Sequence, residues 1–315
     1  MLSRVAERVY WQARYLERAE NTARLLNVFS TLLLDLPPRT KLGWRSLVEI
    51  TGTSEAFDNR YKQMTERTVM RFLLHENNGF SILDMLSQTR ENARTTREVM
   101  PAEAFEQINN LYYFAKDNVA KAVARGPRHE LLTEIIHSCQ QISGLMGGTM
   151  SRDDAFNFIR LGRNLERADM TTRIVDVGSG NLLPSLSNAE GETRFVEPYE
   201  DVLWMNILRS LSAYQMYRQH VKDRINAEDV VIFLLQDAQF PRAVCYCLSQ
   251  LLKILDALPN NSSVSAQVSK TLRFVQRGKI DELLESGLLE HIDDLQISMA
   301  TIHHRIASTW FLPNK

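Results

Sequence analysis

Apolar residues recur every three or four positions through most of the chain, and runs that alternate every second residue are almost absent. This spacing predicts amphipathic helices throughout, so the expected fold class is all-α. A first long helix is predicted from about Val5 to Leu34, closed by the segment Leu36–Pro38. Later helices are predicted at Trp44–Phe57, Glu66–His75, Ser81–Met100, Ala102–Arg125, His129–Met146, Arg152–Val177, Asp201–Val221, Glu228–Gln236 and Pro241–Ala257, with three shorter ones toward Trp310.

Glycine, proline and asparagine mark the expected breaks between these helices. The breaks are assigned to residues 77–79, 126–127, 147–148 and 259–263. The longest stretch that combines Gly, Ser and Pro is 178–198. It is predicted as a loop excursion, and it need not be a domain boundary.

One helical segment occurs twice in the chain. Residues 14–28 match residues 163–177 at an offset of 149, with eight of fifteen positions identical, and weaker matches continue downstream. The period is too long for a solenoid. It predicts duplication of a helical unit, with approximate repeats at 1–147 and 148–315 that form a multi-helix bundle with pseudo-two-fold symmetry.

A helical wheel separates core positions from charged positions in the repeated segment. Leu16 and Leu165 share an arc with other apolar residues and are predicted to lie in the core, on helices that pack near each other. Glu17 falls roughly opposite that arc, whereas Arg18 points toward the flank occupied by Trp11. The charges of this segment therefore do not form one uniform solvent-facing strip.

The repeated segment also contains charge pairs at spacings of three and four, which predict ion pairs within each helix. The predicted pairs are Arg14–Glu17, Glu20–Arg24, Arg163–Glu166 and Asp169–Arg173. Two interpretations remain open. In the first, these are surface pairs that each stabilise a helix by a few tenths of a kcal/mol. In the second, the two helices meet near a pseudo-two-fold axis, and their Arg and carboxylate groups interlock or line a shared polar pocket.

Four parts of the sequence resemble the bacterial alpha-E superfamily: residues 1–24, 149–153, 161–169 and 90–94. The resemblance spans essentially the whole chain and implies a single all-helical domain over 1–315. One departure is the turn at 76–80, where an Asp-Asn-Pro-like sequence is expected. The positions that the repeat and the resemblance mark as a candidate ligand-binding or central charged cluster are Arg14, Glu17, Arg18, Glu20, Arg24, Arg163, Glu166, Arg167, Asp169, Arg173, Arg90, Glu91, Asn92 and Arg94.

The resemblance also implies partners, because genes of this family commonly lie beside those of a circularly permuted ATP-grasp enzyme and a transglutaminase-like peptidase. We therefore expect an accessory or substrate-binding protein that acts with an ATP-grasp type ligase in peptide amide-bond formation or modification, with a peptide-like ligand. The alternative is an enzyme of peptide or amide metabolism that uses the central Glu/Arg cluster, with Glu17 and Glu166 as general acid and base. A deep central pocket containing both motif copies would favour a ligand-binding or catalytic role, and a solid core with an exposed apolar groove would favour an accessory role.

Composition excludes several classes of protein. The chain has 315 residues with 37 Lys+Arg and 38 Asp+Glu, and a formal net charge of -1 gives no field that would gather nucleic acid or anionic lipid. Its three cysteines are too few for a disulfide framework, and no apolar run is long enough to span a membrane. A cytoplasmic protein without nucleic-acid or membrane partners is expected.

No cofactor and no metal are expected from the motifs. The nearest approximations to a metal site, at 137–139, 245–247 and 303–304, lack the spacing of known ligand sets. The glycine-containing segments at 144–148 and 178–180 lack the other features of a phosphate-binding loop.

Overall fold

Helices account for all the regular secondary structure in residues 1–35, 43–182 and 200–312, the part of the chain that the computed structural model describes. The predicted all-α fold class is therefore confirmed. No helix within these ranges is both long and apolar enough to cross a membrane. The helices are α1 (Ser3–Asp35), α2 (Trp44–Ile50), α3 (Ser54–Asp58), α4 (Glu66–Leu74), α5 (Ile82–Arg94), α6 (Ala102–Asn118), α7 (Arg125–Thr149), α8 (Asp154–Leu182), α9 (Glu200–Ser210), α10 (Tyr214–His220), α11 (Ala227–Gln236), α12 (Val244–Leu255), α13 (Ser262–Arg277), α14 (Ile280–Glu285) and α15 (Leu288–Ile306), with 3₁₀ turns at Arg97–Val99 and Lys121–Val123 and a π-helical turn at Ala307–Phe311.

The long helices α1 and α8 form the centre of the bundle. They contact each other more extensively than any other pair of described helices do. Helices α5 and α7 cover α1, and helices α12 and α15 cover α8. Leu16 and Leu165 are buried, as predicted from their shared apolar arc. A helix with an apolar stripe must bury it against another element, and here the two repeated segments do so side by side.

Gly162 lets the backbones of α1 and α8 approach closely. A Cβ atom at this position would lie 2.3 Å from the carbonyl oxygen of Tyr10 and 3.3 Å from Cγ of Arg14. Gly178 instead makes room for a side chain of α9, because a Cβ there would lie 2.4 Å from Cδ1 of Ile207. Both glycines therefore mark close contacts between helices.

Three predicted helix breaks lie inside helices, and these predictions are wrong. Residues 126–127 begin α7, where proline is tolerated because amides of the first turn have no acceptor within the helix. Residues 147–148 occupy the last turn of α7, and α8 continues through the start of the predicted loop excursion 178–198 to Leu182. The rest of that excursion and the predicted stop at Leu36–Pro38 lie outside the described residues.

Two predicted helices are each divided by a residue in the left-handed region. The prediction Trp44–Phe57 becomes α2 and α3, with Gly52 between them at a φ of 68°. The prediction Asp201–Val221 becomes α9 and α10, with Ser212 between them at a φ of 54°. Hydrophobic periodicity continues across such short turns, so it does not detect them.

We expect Gly162→Ala to destabilise the protein by about 1 to 3 kcal/mol, because the added methyl group overlaps the Tyr10 carbonyl. The matched control is Gly144→Ala, a helical position with no atom within 4 Å of the added Cβ. That change should raise stability by roughly 0.5 to 1 kcal/mol through helix propensity. Urea unfolding measures both, and equal effects of the two substitutions would contradict the close approach.

Candidate functional site

The two repeated Glu-Arg dipeptides bind each other across the contact between α1 and α8. Arg167 donates from Nε and Nη2 to the two carboxylate oxygens of Glu17, at 2.8 and 2.9 Å. Arg18 uses the same two nitrogens on Glu166, at 2.5 and 2.9 Å. The contact is reciprocal, as expected for helices that meet near a pseudo-two-fold axis. Whether the two halves arose by duplication stays a prediction.

A second arginine contacts each of these carboxylates. Arg14 donates from Nε to Oε2 of Glu166 at 2.7 Å. Arg242, in the turn before α12, donates from Nη1 to Oε1 of Glu17 at 3.1 Å and from Nη2 to Oε1 of Glu20 at 2.8 Å. Each of the two central glutamates therefore lies between two guanidinium groups.

Arg242 is a site residue that sequence reasoning missed, because it lies outside the repeated segment. It precedes Ala243, the N-cap of α12, just as Phe80 precedes Ser81, the N-cap of α5. The sequence did single out the turn at 76–80, where the chain departs from the family pattern. The matching turn in the second half, residues 238–242, contains Arg242.

The two central carboxylates are buried and ionised. Glu17 is 2% exposed and Glu166 is 1% exposed, so the helical-wheel placement of Glu17 opposite the core is wrong, since α8 covers that side of α1. Burial alone would raise the pKa of both carboxyl groups. The arginines outweigh burial and hold the pKa of each at about 2. Neither group can supply a proton as a general acid at neutral pH.

The predicted ion pairs at spacing four both form. Arg24 donates from Nη2 to Oε1 of Glu20 at 2.7 Å, and Arg173 donates from Nε to Oδ2 of Asp169 at 2.9 Å. Arg173 also lies against Gly52, where a Cβ atom would be 2.5 Å from Nη1. The second pair therefore connects α8 to the turn between α2 and α3.

The predicted ion pairs at spacing three are wrong. Arg14 does not turn back to Glu17 and instead bonds to Glu166 on the other helix. Arg163 makes no hydrogen bond or ion pair with any described residue, and its buried Nε has no partner. Arg14 binds an acceptor on the facing helix, whereas the corresponding acceptor for Arg163, Glu17, already accepts from Arg167 and Arg242.

Positive charge exceeds negative charge in this cluster. Burial and the neighbouring Arg167 and Arg160 lower the pKa of Arg163, and the charges of Glu17 and Glu20 offset this lowering only in part. Seven arginines face four carboxylates here. They are Arg14, Arg18, Arg24, Arg163, Arg167, Arg173 and Arg242 against Glu17, Glu20, Glu166 and Asp169.

The candidate residues at 90–94 form a separate group on α5, facing α6. Arg90 donates from Nε to Oδ1 of Asn109 and from Nη1 to Oε1 of Glu91, both at 2.7 Å. Arg94 donates to the other oxygen of Glu91 at 2.9 Å, and Asn92 accepts through its backbone carbonyl. In the described chain, none of their contacts joins this group to the central cluster.

Among the residues of the weaker motifs, the three cysteines are buried and His303 is partly buried, whereas His137 and His304 are exposed. His303 on α15 shares a 2.9 Å hydrogen bond through Nδ1 with the hydroxyl of Tyr10, and burial lowers the pKa of this histidine to about 4. Burial raises the pKa of the Cys247 thiol to about 12 and that of the Cys245 thiol to about 11. Within the described ranges, no three His, Cys, Asp or Glu side chains are grouped to share a metal ion.

Two clefts of the described chain lie away from the central cluster. One, of about 290 Å³, lies between α6 and α7 and is lined by Phe114 and Leu131. The other, of about 570 Å³, lies beside the turn from α13 to α14 and is lined by Phe274 and His291. Neither cleft includes a residue of either repeated motif.

A family model matches residues 1–311 and is described as a predicted alpha-helical domain with a conserved ER motif. The chain belongs to the Alpha-E family. This Alpha-E chain contains four Glu-Arg dipeptides, at 7–8, 17–18, 66–67 and 166–167. The second and the fourth are those that bind each other between α1 and α8.

Curated relatives of this Alpha-E chain are much longer proteins. An uncharacterised protein of Mycobacterium bovis and one of Mycobacterium tuberculosis are each 22% identical over 333 aligned positions, which cover 95% of this chain and 35% of the relative. The chain thus spans about a third of the length of these relatives. No solved structure gives a significant match.

We expect Glu166→Gln to destabilise the protein by roughly 3 to 5 kcal/mol, because it leaves Arg14 and Arg18 buried or half-buried without their carboxylate. The control is Glu282→Gln, which breaks an exposed pair with Lys279 and should leave stability close to that of the parent chain. Urea unfolding at neutral pH distinguishes the two. A loss below about 1 kcal/mol for Glu166→Gln would show that the central pairs act as surface pairs.

Stability should also fall in acid. The pKa of Glu17 and Glu166 is about 2 in the folded chain and about 4.5 in a solvated one, so each stabilises the fold fully above pH 5. This contribution, roughly 3 kcal/mol for each carboxylate, is lost as the pH decreases from about 5 to 2. Urea unfolding between pH 6 and pH 3 measures it. Glu166→Gln should show a shallower pH dependence than the parent chain, and identical slopes would contradict the assignment.

Proposed function

We propose that this Alpha-E chain is an accessory or substrate-binding protein that acts with an ATP-grasp type ligase in peptide amide-bond formation or modification. The ligase carries out the ATP chemistry, and the helical chain holds or presents the peptide-like substrate. A transglutaminase-like peptidase is a second partner in this proposal. Because the ligation consumes ATP, we place the protein in the cytoplasm.

The observation that carries the accessory role is the length of the curated relatives. The matched region makes up 35% of each of those chains, so a segment similar to this chain occurs there in one polypeptide together with about twice as much other chain. Covalent linkage holds two parts at a high effective concentration. Such an arrangement suits a helical segment that works on the same substrate as the part joined to it.

The substrate-binding role is supported by the charge surplus between α1 and α8. A guanidinium group is planar and donates two parallel hydrogen bonds to a carboxylate, as Arg18 and Arg167 do here within the chain. Arg163 has the same chemistry and no described acceptor. A peptide that carries a free carboxylate would match such a group.

The alternative, an enzyme that uses Glu17 and Glu166 as acid and base, fits the electrostatics poorly. A general acid needs a pKa near the working pH, whereas both groups have a pKa of about 2. Their oxygens are also occupied by arginines from the facing helix or from the turn before α12. These contacts favour a structural role for the two carboxylates.

We expect this chain and the ATP-grasp type ligase from the same genome to associate, and the ligase to form its ATP-dependent product faster when the chain is present. Size-exclusion chromatography and product analysis with and without each protein measure both effects. Glu282→Gln serves as a control that keeps the central pairs. No association, together with an unchanged product spectrum when this chain is omitted, would refute the accessory role.

Turnover by this chain alone is the outcome that would support the enzyme instead. In that case a folded Glu166→Gln variant should lose the activity, whereas Glu282→Gln should keep it. Circular dichroism of both variants establishes that the loss does not come from unfolding.

A further inference from the structure

The charged positions of residues 14–24 have the same sign of charge in the matching residues 163–173. The two copies differ in the contacts that the first arginine makes. Arg14 and Arg163 occupy matching positions at the offset of 149. Arg14 is ion-paired to Glu166 at 2.7 Å. Arg163, which the same symmetry would pair with Glu17, makes no hydrogen bond or ion pair in the described part of the chain.

Arg242 explains the difference. It reaches from the turn before α12 to Glu17 and Glu20, and it also donates to Oδ1 of Asn21 at 2.5 Å. The matching position in the first half is Phe80, which cannot make such contacts. Glu17, the acceptor that Arg163 would use, therefore already accepts from Arg167 and Arg242. The guanidinium group of Arg163 has no carboxylate bound to it in the described part of the chain.

The surroundings of Arg163 are basic and partly open. Arg160 and Arg167 lie one turn before and one turn after it on α8, and all three side chains are partly exposed. Arg160 donates to Oε1 of Gln250 on α12 at 3.2 Å, and Arg167 is bound to Glu17. The guanidinium groups of Arg160, Arg163 and Arg167 thus lie along one face of α8. Of the three, Arg167 is ion-paired, to Glu17.

The guanidinium group of Arg163 destabilises the folded chain as long as no anion is bound to it. An unpaired buried or half-buried cation loses hydration and is repelled by its cationic neighbours. The pKa of Arg163 is lowered, because burial and the repulsion by Arg167 and Arg160 outweigh the attraction of Glu17 and Glu20. An oxyanion would supply the missing acceptor, as Glu166 does for Arg14.

We propose that Arg163, with Arg160 and Arg167 beside it, binds an oxyanion, either the carboxylate of a peptide or a phosphate group, on the partly exposed face of α8 next to α12. This inference rests on the proposed substrate-binding function and assigns the site at which the anionic group is held. Arg163 supplies the unpaired donors, and its two neighbours supply positive potential. Glu17 stays with Arg167 and Arg242.

The test uses the purified full chain and two probes, N-acetylglycine for the carboxylate and inorganic phosphate for the phosphate. Chloride at equal ionic strength controls for screening. Thermal unfolding midpoints and isothermal titration calorimetry are measured for the parent chain, Arg163→Gln and Arg67→Gln. Arg67 is an exposed arginine of α4 outside the cluster. Arg14→Gln is the matched control for stability.

We expect at least one probe to raise the midpoint of the parent chain and of Arg67→Gln above the chloride control. The dissociation constant should increase about tenfold or more in Arg163→Gln, since the main donor is lost. Without probe, Arg163→Gln should have a midpoint equal to or above that of the parent chain, whereas Arg14→Gln should have a lower one. A response to phosphate alone or to N-acetylglycine alone supports the site and identifies the source of its anion.

The proposal is overturned if neither probe raises the midpoint above the chloride control, or if Arg163→Gln binds as tightly as the parent chain. It is also overturned if Arg163→Gln unfolds as readily as Arg14→Gln, because Arg163 would then be a structural residue. If Arg163→Gln does not fold, Arg163→Lys replaces it, and loss of bidentate donation should still weaken binding. These measurements need no ligase, so failure here leaves the association test of the proposed function unaffected.

Discussion

The reciprocal ion pairs between α1 and α8 are the contact on which the rest of the bundle depends. Each helix contributes one glutamate and one arginine to the other, and both glutamates are almost completely buried. A buried carboxylate without its arginine is strongly unfavourable. The cluster therefore gives the apolar faces of the two helices one preferred register, since sliding α1 along α8 would separate both pairs together.

The close approach at Gly162 and the ion pairs reinforce each other. Arg14 lies between the two features, because its Cγ lies 3.3 Å from the Cβ site of Gly162 while its Nε binds Glu166. A larger residue at 162 would push α1 away and lengthen that hydrogen bond. Helix separation and charge pairing are thus coupled, and the surrounding helices α5, α7, α12 and α15 pack on a centre whose geometry is already fixed.

Local sequence periodicity predicted the helical class, the buried arc of Leu16 and Leu165, and the pairs Glu20–Arg24 and Asp169–Arg173, all of which depend on spacing within one helix. It failed where the partner lies on another element. Spacing within α1 assigns Arg14 to Glu17, whereas packing provides Glu166 as a better acceptor. Arg242 was missed for the same reason, since no local pattern connects a turn before α12 with a carboxylate on α1.

The difference between Arg14, which is paired with Glu166, and Arg163, which has no described acceptor, bears on function more directly than the reciprocal ion pairs do. A cluster that served stability alone would be expected to balance its charges, because a buried or half-buried cation without a partner destabilises the folded chain. Here the second half has both Arg163 and Arg242, although one of them would be enough for Glu17. Local departures of this kind are typical of functional sites, where the stability that is lost is recovered when a ligand binds. The surplus guanidinium group on α8, more than the closed pairs beside it, is therefore the feature of this Alpha-E chain that points to a ligand.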